Sequence, residues 1–308
     1  MQCLIIAIKG AGEMASAVAW RLYMAGFRTL FMMEAVAPLA VRREVAFCEA
    51  VHDGFKTVEG VQALRAAGAE QFHTIWEAGK IAVTVDPHWN TLHRIRPDVL
   101  VDAILSKKNL GTRKEEAGLV IGLGPGFIAG EDVHLVIETH RGHNLGRILA
   151  TGSAAPDTGI PGPIEGIAVE RLLRAPAAGE FRSSCRIGDP IEKGELVGLV
   201  EEAQAVSRTG GVLRGLIRPG TWVRRGQKIG DIDPRGEVSY CFTISDKARA
   251  IAGSVLEAVL RTYNRPRGEG FKVQGSRLKR HKRFQVPGST VFKNRRMRQE
   301  TNPTTVEP

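Results

Sequence analysis

Ten residues, "ETHRGHNLGR" from Glu138 to Arg147, gather two histidines, two arginines, a glutamate and two glycines. Arg141, His143, Asn144 and Arg147 stand around Gly142 and Gly146, where the backbone can bend and expose its amides. Arginine forks and exposed amides suit an anion, because each bond to it is charge-assisted. His140 and His143 raise a metal reading, but no third ligand follows at zinc spacing, so no metal site is expected. A plain loop braced by its arginines is the other reading.

A second stretch, "GAGEMA", places Gly10, Gly12 and Ala15 in a G-x-G-x-x-A pattern after an apolar run. The first glycine allows a tight turn, the second lets a phosphate approach, and the small third residue lets helix and strand pack closely. Amides at the start of a helix then favour an anion. Glu34 ends the next apolar run, where an acid can accept bonds from ribose hydroxyls. Asp86 and Asp102 end two later runs and fit either the same ligand crevice or ordinary turn and cap positions. "GLGPGF" offers Gly122, Gly124 and Gly126 for backbone approach or for a turn.

The catalytic inventory is thin. Cys48, in "VAFCEAVHDG", lies near Arg42, Arg43 and His52, which could lower a thiol pKa, and Cys241 falls in an apolar setting where thiols are inert. These two are the thiols to weigh as nucleophiles. Neither a His–acid nor a Tyr–Lys pair stands out as a proton donor for hydride chemistry.

The elements that must position these residues are legible from periodicity. "CLIIAI", a helix-spaced run from Ala15 to Tyr23 closed by Gly26, and "RTLFMME" read as strand, helix, strand. "VEGVQALRAAG" reads as a short helix, and "KIAVTVD" and "PDVLVDAIL" as further strands. This alternation predicts an α/β fold beginning with a Rossmann-like parallel sheet over residues 1–110. A central β-rich segment over 111–173 follows, with strands near 118–123 and 132–138 and a Gly/Pro-rich loop at 151–166.

Residues 174–264 contain an internal repeat at an offset of 32. Gly179/Gly211, Arg182/Arg214, Gly188/Gly220, Gly194/Gly226, Val197/Ile229 and Gly198/Gly230 all match. Such repetition predicts two copies of one β unit about a pseudo-twofold, and the spacing is similar to a biotinyl/lipoyl half-repeat, a barrel-sandwich hybrid. The connection "EEAQAVSRTGG" holds no lysine, so no biotin or lipoate is expected. A strand near Thr243 and a closing helix capped by Ser245 or Asp246 complete the folded part.

The chain has 308 residues and a net charge of +10. From Arg265 onward there are 12 Lys/Arg and 3 Asp/Glu, so +9 of that charge belongs to the tail over 265–308, which lacks apolar periodicity and is expected to be disordered. The preceding body is near neutral, so nucleic acid is not its expected partner. The first apolar run stops too early for a signal peptide, and no stretch approaches a membrane span. Four scattered cysteines suit a reducing cytosol, and a cytoplasmic protein is expected.

The stretches "GAGEMASAVAWRLYMAGF", "RREVAFCEAVHDG", "VDAILSKKNLGT", "VIGLGPGF", "ETHRGHNLGR", "GSAAPDTGIPGPIEG", "GVLRGLIRPG" and "GDIDPRGEVSYCFTISDKARAI" together resemble the YqeB-type selenium-dependent molybdenum hydroxylase system proteins. The resemblance spans roughly residues 2–263. It implies a cytosolic accessory factor that matures hydroxylases such as xanthine dehydrogenase together with their maturation machinery. It further implies a nucleotide or molybdopterin-type ligand and a selenium species as cargo. Two departures stand out: cysteine replaces an expected serine at Cys48, and the basic tail is not shared. The alternatives are an NAD(P)-dependent oxidoreductase using "GAGEMA" and a non-catalytic scaffold.

Overall fold

Alternate residues of the first apolar runs belong to different cores, which is why the runs are continuous rather than amphipathic. In the computed structural model, which describes residues 4–264, strand β1 (Ile6–Lys9) leads through a glycine turn to helix α1 (Glu13–Met24) and β2 (Leu30–Glu34). Ile6, Ile8, Leu30 and Met32 pack with α1 on one side of the sheet. Ala7, Phe31 and Met33 pack on the other against Phe72 and Leu92. A strand covered on both faces reads as an unbroken apolar run.

The sheet continues through helix α2 (Ala50–Asp53), β3 (Phe55–Val58), β4 (Val61–Ala66), α3 (Phe72–Glu77), β5 (Ile81–Val85), α4 (Asn90–Ile95), β6 (Val99–Asp102), β7 (Leu119–Leu123), β8 (Leu135–Ile137) and β9 (Ile148–Leu149). The nine strands lie in the order β3-β4-β5-β2-β1-β6-β7-β8-β9. Pairings from β4 to β8 are parallel, whereas β3/β4 and β8/β9 are antiparallel.

The repeat region supplies β10 (Leu172–Arg174), β11 (Gly179–Arg182), β12 (Pro190–Ile191), β13 (Leu196–Val200), β14 (Ala203–Val206), β15 (Gly211–Leu216), β16 (Trp222–Val223) and β17 (Lys228–Asp233). They form two four-stranded sheets, β10-β17-β15-β12 and β14-β13-β11-β16. The repeats exchange strands: Gly179 pairs with Val223, and Gly211 pairs with Ile191. Gly179 and Gly211 share a φ of +145°, so the sequence repeat is also a backbone repeat. Phe181, Val197, Leu213 and Ile229 fill the core between the sheets.

The last helix, α5 (Asp246–Tyr263), is capped by the Ser245 hydroxyl, which accepts from the Ala248 amide. Its apolar stripe of Ala248, Ile251, Ala252, Val255 and Val259 joins the α1 side of the nine-stranded sheet.

The expected fold class is therefore corrected. A separate parallel Rossmann-like domain, a separate central β segment and a biotinyl/lipoyl-like barrel-sandwich hybrid with its own closing helix do not describe this chain. The central strands β7 to β9 extend the same sheet, which is mixed, and the remaining strands form two antiparallel sheets. Helix α5 covers the large sheet rather than the repeat. Two local readings change as well. "VEGVQALRAAG" holds a β-hairpin turn, because Glu59 and Gly60 take φ of +42° and +81° and Val58, Val61 and Ala63 alternate inward. A 3₁₀ turn over Val238–Cys241 replaces the strand expected before Ser245. The expectation for the basic tail lies outside the described residues.

Candidate functional site

The carboxyl ends of β1, β2 and β6 bring the glycine turn, Glu34 and Asp102 to one edge of the sheet. Gly10, at φ +89°, donates its amide to the Met33 carbonyl at 2.8 Å. The Ala11 amide donates to Glu34 Oε2 at 2.6 Å, and the Ala35 amide to Oε1 at 2.8 Å. Glu34 is thus a clasp that holds the turn, and burial raises its pKa despite those two bonds. Ala15 is fully buried where α1 meets the sheet. Gly12 differs: it starts α1 at φ −69° with no side-chain cap, and a Cβ built there meets nothing within 4 Å. A strap over 46–48 closes the back of the turn, with the Cys48 amide donating to the Ala11 carbonyl at 2.8 Å and the Phe47 amide to Ser16 Oγ at 2.7 Å.

Asp102 faces a residue that periodicity hides. Lys9, its register partner on β1, is fully buried, and its Nζ donates to Thr112 Oγ1 at 2.7 Å and to Glu116 Oε2 at 2.9 Å. Thr112 in turn donates to Asp102 Oδ2 at 2.6 Å. Burial raises the Asp102 pKa. Asp86 is a cap: its carboxylate accepts from the amides of Asn90 and Thr91 at 3.0 and 2.7 Å. Burial alone would raise its pKa, but those bonds bring it below the usual range.

Charge gathers where α1 and α5 begin. The Ser245 hydroxyl donates to Glu13 Oε1 at 3.0 Å, and Arg42 Nη1 lies 3.5 Å from the same oxygen. Arg42 is almost wholly buried and also donates to the carbonyls of Tyr240 and Thr243, both at 2.9 Å. Beside it, Asp231 accepts from Arg171 and Arg214, and Asp233 accepts from Arg214 at 2.9 Å and Arg235 at 2.7 Å. Burial would raise both carboxyls, yet Lys228, Arg214 and Arg171 hold Asp231, and Arg235 and Arg214 hold Asp233, below the usual range. Glu13 also acts electrostatically on Arg214, Lys228 and Lys247. Glu13, the residue after Gly12, therefore meets Arg42 and Ser245 directly, at the edge of a predominantly cationic cluster.

The stretch 138–147 is a turn folded onto α5. Glu138 accepts from the amides of His140 and Ala155 at 2.6 and 2.7 Å. Arg141 forks onto Asp246 at 2.8 and 3.0 Å, and the hydrogen bond from Arg141 holds that carboxyl down to about 2. Ser254 Oγ donates to the Gly146 carbonyl at 2.5 Å. His143, Asn144 and Arg147 are exposed. The fork that sequence offered to an anion is thus engaged by Asp246.

Neither thiol is activated. Burial, followed by Glu34 and Glu49, pushes the Cys48 thiol well up. Burial also raises Cys241, whose Sγ lies 3.8 Å from the Leu213 carbonyl. The two are corrected as nucleophile candidates. No group of three metal-ligating side chains is gathered among the described residues.

Sequence reading missed Lys9, Glu13, Arg42, Arg171, Arg214, Lys228 and Lys247, because single charges scattered over the chain carry no spacing signal. The offset match of Arg182 with Arg214 was the only hint, and it pointed to the repeat rather than to a site.

Fold and site together define a mixed α/β protein in which the starts of α1 and α5 meet through Glu13 and Ser245. No family model matches the chain. It is 48% identical over 256 residues to a protein of Escherichia coli (strain K12) named uncharacterized protein YqeB, covering 83% of this chain and 47% of that one. The chain spans about half the length of this curated relative, and the region the two share belongs to the YqeB family.

Among solved structures, it is similar to a succinylglutamate desuccinylase/aspartoacylase from Rhodobacter sphaeroides (21% identity, 21% of this chain and 22% of that one, TM-score 0.20). It is also similar to an aspartoacylase family protein from Mesorhizobium loti (12%, 75% and 85%, TM-score 0.23). A third is the product-bound ectoine utilization protein EutE (DoeB) from Ruegeria pomeroyi (12%, 75% and 58%, TM-score 0.21). At these TM-scores no chemistry is taken from them.

No helix among the described residues is long and apolar enough to cross a membrane.

Proposed function

We propose that this chain is an accessory factor for selenium-dependent molybdenum hydroxylases such as xanthine dehydrogenase. In this reading it binds a phosphate-bearing ligand, a pterin-phosphate or a nucleotide, while selenium or the molybdenum cofactor is installed. The long shared motifs support the family role. The observation that carries the ligand reading is Gly12, which starts α1 uncapped and with an open face, one residue before the Glu13 that pairs with Arg42. Helix-start amides and lysine or arginine side chains are the donors that phosphate groups take.

An NAD(P)-dependent oxidoreductase fits less well. A ribose would need Glu34 as an acceptor, and both its oxygens already hold the backbone amides of the turn. Loading of the hydroxylase tests the proposal. A host lacking this protein should yield a partner hydroxylase poor in selenium or molybdenum by elemental mass spectrometry. Wild type should restore the content and Gly12→Val should not. A fully loaded hydroxylase made without the protein would overturn it.

A further inference from the structure

His134 stands one residue before β8 and is half-buried, with core residues Val133 and Leu135 on either side in the chain. Its backbone amide donates to the Val120 carbonyl at 2.9 Å, and its ring Nδ1 accepts from the Val120 amide at 3.0 Å. One residue of β7 is thus held twice by one histidine. A backbone amide can only donate, so Nδ1 carries no proton and the neutral ring keeps its hydrogen on Nε2. Val120 is fully buried, and its amide has no solvent to turn to if the imidazole lets go. The grip matters because β8 is short. It pairs with β7 through Leu135, Val136 and Ile137 and with β9 through Val136 and Ile137, and the 138–147 turn follows directly. Two charged groups act on the ring, both from the turn over Lys114–Glu116: Lys114, whose Nζ donates to the Gly130 carbonyl at 2.9 Å, and Glu115. In the loop before β8, Asp132 is taken by the Ile128 amide at 2.8 Å.

We propose that His134 is a pH-sensitive clip: a proton taken up from solvent on Nδ1 turns the acceptor into a second donor facing the Val120 amide and loosens the start of β8 from β7. Both nitrogens of an imidazolium donate, so the bond is replaced by two opposed N–H groups rather than weakened. The cost falls on a buried amide left without an acceptor. Burial first, then Lys114, lowers the pKa of the ring against the opposing pull of Glu115. The folded chain therefore favours the neutral ring. The contribution of the clip is complete above the ordinary histidine value of about 6.5 and is lost as pH falls from there through the lowered folded value. The inference stands apart from the ligand reading, because Val120 is level with Leu100 and Ala7, toward the amino ends of the strands.

Thermal unfolding of the full chain from about pH 7.5 to about pH 5, on either side of the ordinary histidine value, tests this. His134→Asn keeps an acceptor oxygen on the same γ carbon and takes up no proton in this range, whereas His134→Leu has no acceptor at all. On acidification the melting temperature of the wild type should fall relative to His134→Asn by about 2–4 °C, the scale of one buried hydrogen bond in a chain of this size. The difference between the two variants should not change with pH, since neither titrates at this position. In the nitrogen NMR spectrum of histidine-labelled protein, Nδ1 of His134 should show the signal of an unprotonated ring nitrogen at neutral pH and lose it over the same interval. Parallel pH profiles for the wild type and His134→Asn would overturn the inference. So would an Nδ1 already protonated at neutral pH. If His134→Leu fails to fold, His134→Asn and the nitrogen signal decide.

Discussion

Lys9 and Asp102 stand side by side at the carboxyl ends of β1 and β6, and Thr112 joins them by accepting from one and donating to the other. Both side chains are out of water, and Lys9 also pairs with Glu116 at 2.9 Å, so its charge compensates both carboxylates at the centre of the sheet. Removing one member of a buried pair costs about 3–5 kcal/mol, because the other is left uncompensated. Lys9→Ala should therefore lose stability on that scale in denaturant titration. Adding Asp102→Asn should recover part of it, with a coupling of about 0.5–3 kcal/mol in the double-mutant cycle. Strict additivity would show that the two do not interact.

Gly12→Val should abolish retention of a phosphate-bearing ligand while moving the melting temperature little. The backbone there is extended at φ −69°, and the new side chain enters open space. Gly10→Val should behave in the opposite way: at φ +89° it strains the turn itself and costs about 1–3 kcal/mol. Ligand retention and thermal stability measured on the same preparations separate the two. A large loss of stability in Gly12→Val would show that its front is not open.

Asp231→Ala leaves Arg171, Arg214 and Lys228 facing one another without their shared carboxylate. The expected cost is about 3–5 kcal/mol, read from urea unfolding. The acid limb of the wild type follows from the same cluster. Asp231 and Asp233 have lowered folded pKa values, so their contribution is present above the ordinary carboxylate range and is lost as pH falls through those lowered values. Asp231→Asn should flatten the dependence of stability on pH below about 4. An unchanged acid limb would remove the cluster from the account.

Arg141→Ala removes the fork to Asp246, a carboxylate that is largely exposed. Solvent screening limits the loss to about 1 kcal/mol or less. Because the folded pKa of Asp246 is lowered to about 2, the difference between wild type and variant should be full above the ordinary aspartate pKa and vanish as pH falls through about 2. A difference that persists at lower pH would mean Arg141 acts through packing against Gly162, whose added Cβ would lie 2.5 Å from Arg141 Cδ.

Much was decided by local sequence. Apolar runs too continuous for an amphipathic surface marked β1, β2, β5 and β6 as strands covered on both faces. The repeat at an offset of 32 reappears as matched backbone angles at Gly179 and Gly211. Ser245 capped the last helix as its side-chain chemistry requires. What only the tertiary structure decided was pairing at a distance. Nothing local says that α5 leaves the repeat to cover α1, because an apolar stripe fits any apolar partner. Nor does it say that Glu34 turns inward to the Ala11 amide instead of outward to a ribose, or that Asp246 lies in wait for Arg141 across more than a hundred residues. The cationic cluster is the extreme case. Arg42, the charged residues of the repeat and Ser245 of the α5 cap come together only after the chain folds, since charge acts through space and leaves no period along the sequence.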